Sequence, residues 1–157
     1  MTNIQRLVLS AALAIGMAAP ARAGVNDPEI IIYRIPGVRD VGTIGQGTAT
    51  VFHCTNFSGA TENIRLVTRS HDGALLSNKA IAMPHLQTKT AVTHDTVAYT
   101  TDLNLEVNGV GQGTTAIAAT SINIICTAAT IDAAINKPTE GLTLRGIRFA
   151  PVAGSQE

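Results

Sequence analysis

Apolar and polar side chains alternate with a period of two along most of the chain, which is the signature of half-buried β-strands. In the run 48–57, Thr50, Phe52 and Cys54 fall on one face, and Val51 and His53 on the other. In 63–70, Ile64 and Leu66 oppose Arg65, Val67 and Arg69, which predicts a strand with a charged outer face. Leu103, Leu105 and Val107 repeat the pattern in 102–107. Residues 29–35 are β-branched and aromatic and lie between Pro28 and Pro36. Proline cannot donate to a ladder, so this predicts a short edge strand.

Between these runs lies turn chemistry. Residues 37–47 hold four glycines and read as a loop. Asp72-Gly73 and Asn108-Gly109 are tight-turn signals. Pro84 ends a strand over 74–83, and further strands are predicted over 87–95, 114–119 and 122–131. The Ala-rich stretch 128–134 is interleaved with Thr and Ile and reads as strand rather than helix. Residues 136–141 read as a loop, 142–149 as a closing strand and 151–157 as a loose tail. No segment beyond residue 23 has a 3.6-residue apolar period. About eight or nine short strands separated by turns predict an all-β fold, an antiparallel two-sheet β-sandwich.

The first 23 residues break this pattern. Arg6 precedes an apolar run from Leu7 to Ala19, and Ala21-Arg22-Ala23 supplies small residues at a cleavage site. This predicts a signal peptide over 1–23, cut between Ala23 and Gly24, and a single domain over 24–157. The apolar run is shorter than the roughly 20 residues a stable membrane span needs, so stable membrane insertion is not expected. The expected location is the periplasm or the exterior. Cleavage removes Arg6 and Arg22 and leaves nine basic against eleven acidic groups. A net charge of −2 gives no electrostatic reason to bind nucleic acid.

Export changes the reading of the two cysteines, Cys54 and Cys126, which lie 72 residues apart. In an oxidising compartment a disulfide is the default, and no Cys-x-x-Cys suggests redox or metal use instead. Two cysteines on an early and a late strand resemble the inter-sheet bond of immunoglobulin-type sandwiches. That resemblance implies a bond between facing sheets, although the chain has no Trp and carries Ile124 where such domains often place Tyr. More narrowly, Phe52-His-Cys-Thr-Asn-Phe-Ser58, His85-Leu-Gln-Thr88, Ile125-Cys-Thr-Ala128 and Arg148-Phe-Ala-Pro resemble small uncharacterised exported proteins of proteobacteria, a likeness that implies no activity.

Candidate chemistry is sparse. The histidines are His53, His71, His85 and His94, with His71-Asp72 and His94-Asp95 as sequence-adjacent pairs. Such a pair can ligate a metal or act as a base with its orienting carboxylate. Polar residues at turns are the favoured reading of both pairs, so no metal, cofactor or catalytic residue is assigned. A Gly-x-Ser-x-Gly elbow is absent. Ile44-Gly-Gln-Gly-Thr48 recurs as Val110-Gly-Gln-Gly-Thr114, but without the lysine of a phosphate loop. The expected function is a non-enzymatic module that presents loops or an edge strand to another envelope or extracellular protein. The alternative is a periplasmic binder of a small ligand, glycan or metal. N-terminal sequencing of exported protein is expected to begin Gly-Val-Asn; a start at Met1 in membrane fractions would contradict the leader.

Overall fold

The computed structural model describes residues 29–135 and 141–148. The leader and its Ala23–Gly24 site, most of the 136–141 loop and the 151–157 tail lie outside the described residues. Ten strands and no helix are found within them. They are β1 (Ile30–Thr43), β2 (Gln46–Asn56), β3 (Glu62–Ser70), β4 (Leu75–Met83), β5 (Thr88–Val92), β6 (Leu103–Asn104), β7 (Val110–Ala119), β8 (Ile124–Asp132), β9 (Leu142–Leu144) and β10 (Ile147–Arg148). The chain is therefore all-β, as its alternation predicts.

The strands run in the order β4-β3-β7-β1-β2-β5-β6, with β10 also on β1, and β8 on β2 followed by β9. Strand β1 joins the two halves. From Ile30 to Asp40 it pairs with β7, and from Val41 to Thr43 it pairs with β2. Register shifts at Ile31/Tyr33, Pro36/Val38 and Val38/Asp40 bend it between the two ladders. Bulges of this kind kink a strand and increase its twist. This corrects two expectations. Residues 29–35 are not a short edge strand, because β1 continues through Pro36 with β7 on one side and β10 on the other. Pro36 sits exposed at a bulge, where a missing N–H is tolerated. Most of 37–47 is strand, and the turn there narrows to Ile44-Gly45.

The two-sheet antiparallel sandwich is also corrected. The strands form one continuous sheet that curls almost into a barrel, and the β5–β6 pair is parallel. The remaining seam lies between β4 and the stretch around β6. Side chains cross it: Ser77 Oγ donates to the Leu105 carbonyl (2.6 Å) and Lys79 Nζ to the Asn104 carbonyl (2.9 Å). Alternation tells which face of a strand turns inward. It does not tell which strands become neighbours.

The inward residues meet in one core that includes Ile32, Ile35, Phe52, Ile64, Leu66 and Ile117, each essentially fully buried. Burying such a side chain contributes about 1.5–3 kcal/mol. The expected faces of β2 are observed. Phe52 and Cys54 enter this core, while Val51 joins Val92 and Ile131 in a smaller cluster on the outer side, covered by Ala98 and Tyr99.

The two copies of the Gly-Gln-Gly echo are not structurally equivalent. The first turns β1 into β2, and the second is already part of β7. Each contains a glycine that a side chain could not replace. A Cβ on Gly47 would lie 2.1 Å from the Val41 carbonyl oxygen, and one on Gly113 2.6 Å from that of Arg69.

Cys54 and Cys126 form a disulfide, but not between facing sheets. They are directly opposed residues of the neighbouring strands β2 and β8, in a ladder running from Thr48↔Asp132 to Asn56↔Ile124. Their Cα atoms are 4.1 Å apart, the spacing of paired strand residues rather than of stacked sheets about 10 Å apart. Phe52 and Ile124 pack into the same core beside the bond, as the alternation predicts. The bond fixes the β2–β8 register and closes a long loop in the unfolded chain. Replacing both cysteines with Ala is expected to lower the unfolding free energy by about 2–5 kcal/mol. Denaturant titration measures this, and an unreduced digest should contain the linked Cys54–Cys126 peptide.

Candidate functional site

At the end of β1, alternation buries Val38, exposes Arg39 and buries Asp40. Two threonines hold this stretch. Thr50 Oγ1 accepts from the Arg39 amide (2.9 Å) and donates to the Arg39 carbonyl (2.9 Å). Thr93, just past β5, accepts from the Thr50 amide with its hydroxyl (3.0 Å) and directs that hydroxyl to the same carbonyl (3.4 Å). Thr50 thus holds the two flanking segments at Arg39 and Thr93, next to Asp40 and His94.

His94 Nδ1 is hydrogen-bonded to Asp40 Oδ1, across 54 positions of sequence. The Gly109 amide donates to Asp40 Oδ2 (3.1 Å). Asn108 and Gly109 both lie at positive φ (58° and 96°), the conformation that Asn-Gly adopts at low cost. The turn legible in the sequence therefore delivers an amide to a buried carboxylate. The side chains of Asp40 and His94 are 3% and 10% exposed. Nε2, the other nitrogen of His94, is buried without a hydrogen-bond partner.

Beside this pair lies a cavity of about 340 Å³ whose lining includes Thr43, Ile44, His94, Asn104, Glu106 and Asn108. Its outer wall is organised by amide side chains. Asn104 Oδ1 accepts from the Glu106 amide (2.8 Å), and Asn108 Nδ2 donates to the Glu106 carbonyl (2.8 Å). These bonds hold Glu106 at φ 53°, a left-handed conformation uncommon for a residue other than glycine. The Glu106 carboxylate pairs with Lys79 Nζ (2.8 Å).

The adjacent pairs of the sequence are not the pairs of the fold. His94 turns to Asp40. His71 sits in the exposed β3–β4 turn, where Asp72 accepts from the Ser70 hydroxyl and the Ala74 amide (3.1 Å). These bonds, the Ser70 hydroxyl first, hold the Asp72 carboxyl below its usual range. His85 Nδ1 accepts from the Gly59 amide (3.0 Å). His53 Nδ1 meets Thr90 Oγ1 (3.1 Å), and its ring stands edge-on to Tyr99, with centroids 4.7 Å apart. Among the described residues, no group of three or more His, Cys, Asp or Glu side chains is placed to hold a metal ion. Sequence reasoning missed Asp40, because it lay in a stretch read as loop and far from any histidine.

The chain was compared with protein-family models, with curated proteins and with solved structures, and none of them matches it.

Asp40→Ala leaves the Gly109 amide and His94 Nδ1 without an acceptor inside the protein. It is expected to cost about 2–4 kcal/mol by urea titration, far more than an exposed Asp→Ala change. His53 gives a pH dependence. Burial lowers its pKa from the ordinary 6.5. Above that value both folded and unfolded chains hold it neutral; as pH falls below it, the unfolded chain takes the proton first and stability drops. His53→Phe should flatten the fall in melting temperature between neutral pH and pH 5.

Proposed function

We propose that the chain is an exported, non-enzymatic β-protein that binds another envelope or extracellular protein by adding a strand of that partner to β4. The carrying observation is the state of this edge. β4 is nine residues long, and its only ladder partner among the described strands is β3. Sheet edges are normally protected by shortness, proline, bulges or outward charge. β4 contains no proline, and its one irregularity is at the Leu75 end, where the β3–β4 register shifts between Thr68 and Arg69. Its one charged residue, Lys79, is tied back to Asn104 and Glu106. Leu75, Ala80 and Ala82 are exposed along it. Side chains of Ser77 and Lys79 bridge the seam beside it, but among the described residues no ladder does, so β4 keeps main-chain donors and acceptors for an extended segment that enters at this seam, with alternate side chains for selectivity.

Two further observations support the setting. The leader-like residues 1–23 predict export, and the Cys54–Cys126 bond suits an oxidising compartment such as the periplasm or the exterior. Among the described residues no helix is long and apolar enough to cross a membrane.

The test is capture from envelope extracts by wild-type protein and by an Ala80→Lys/Ala82→Lys variant. Both changes are on the exposed face and should alter stability by less than about 0.5 kcal/mol. The expected outcome is capture by the wild type, loss in the variant, and slowed amide exchange along β4 in the complex. A partner that binds both proteins equally, or that leaves β4 amides unprotected, would overturn the proposal.

A further inference from the structure

The segment between β9 and β10 goes beyond that reading, since it lies away from β4 and rests on different observations. β9 pairs with β8 and β10 with β1, so Arg145 and Gly146 carry the chain from one ladder to the other. Gly146 permits the crossing. A Cβ there would lie 3.3 Å from the side chains of both Tyr33 and Ile35, so its backbone is pressed onto the core. The arginines on either side of this contact, Arg145 and Arg148, remain exposed. Both line one recess of about 600 Å³, together with Pro36, Gly146 and Ile147.

Arg148 is held in place there. Its guanidinium donates to the Ile122 carbonyl and stands over the Tyr33 ring, 5.8 Å from the centroid, within cation–π range. Elsewhere, Arg65, Lys79 and Lys89 each face a carboxylate. Arg145 and Arg148 face none among the described residues, and no Asp or Glu is among the described residues that line the recess. Arginine keeps its charge at any physiological pH. Two permanent cations therefore share one recess without a counter-charge, and an anion between them would offset their repulsion.

The shape of the recess narrows the choice of anion. The two oxygens of a carboxylate are filled by one guanidinium fork, whereas a phosphate has enough oxygens to accept from two forks at once. The volume is larger than a bare phosphate needs and lies within the range of ligand sites, roughly 300 to 1,000 Å³. Pro36 and Ile147, the latter 58% exposed, offer apolar surface for the organic part of an ester. We propose that this recess binds a phosphate ester, with Arg145 and Arg148 as its two cationic arms. A soluble phosphate ester and a lipid phosphate headgroup share this chemistry.

The test uses isotope-labelled full-chain protein and nuclear magnetic resonance at low salt. Glycerol phosphate is titrated while the Nε–H signals of Arg145 and Arg148 are followed. A parallel sedimentation experiment uses phosphatidylcholine vesicles with and without phosphatidate. Saturable shifts at both arginines, sedimentation that requires phosphatidate, or both together are the expected result; the first alone identifies a soluble ester and the second alone a lipid headgroup. Arg145→Gln should weaken binding by about tenfold, the loss of a charge-assisted contact. Arg39→Gln removes the same charge from an exposed position outside the recess and should leave binding unchanged. Arg145 has no partner among the described residues, so its replacement spares the fold and is the deciding variant. Three results would each overturn the proposal: neither source acting on Arg145 and Arg148; Arg39→Gln weakening binding as much as Arg145→Gln; or acetate or inorganic phosphate binding as tightly as the ester.

Discussion

The fold depends on one strand belonging to two ladders. β1 is hydrogen-bonded to β7 over its first eleven residues and to β2 over its last three, and nothing else in the strand order connects β7 to β2. A flat strand could not do this, because the two ladders lie in different directions. Three bulges and Gly37, Gly42, Gly45 and Gly47, all at positive φ, supply the bend and the return. The core then forms where the two halves of the curled sheet face each other. Most of its large side chains are aliphatic, with Phe52 the one aromatic ring among the most deeply buried.

That bend explains what could and could not be read from the sequence. Side-chain direction was legible: Phe52, Cys54, Ile64, Leu66 and Ile124 all point as period-two alternation requires. Strand direction at Asp72-Gly73 was legible too, because β3 and β4 form the expected antiparallel hairpin. The glycine-rich stretch was not. Glycine has the same local meaning in a loop and in a bulged strand, and only the presence of β7 alongside distinguishes them. Neighbour relations across the sheet were equally hidden. Two inward cysteines fit a bond between facing sheets as well as one within a sheet, and the choice is made by β8 lying next to β2.

The candidate site shows the same limit in a sharper form. Adjacency in sequence paired His94 with Asp95, but neighbours on an extended chain point to opposite sides. A histidine in or next to a strand therefore finds its carboxylate on another strand. Asp40 is inward because it ends the alternation of β1, and that alternation becomes visible only once 37–43 is recognised as strand. The proline and glycines that hid the strand also hid the carboxylate.

The path from His94 to Gly109 begins and ends on Asp40, which makes it an Ω-shaped excursion with both feet on one carboxylate. Its far limb includes Asn104 and Leu105, whose carbonyls accept Lys79 and Ser77 across the seam. The excursion is not held by these polar bonds alone: the Asp102, Leu105 and Val107 amides donate to the carbonyls of Thr90, Val92 and Thr93, and the side chains of Leu105 and Val107 are buried in the core. One carboxylate thus ties together the two ends of a segment whose middle extends the sheet beside β5.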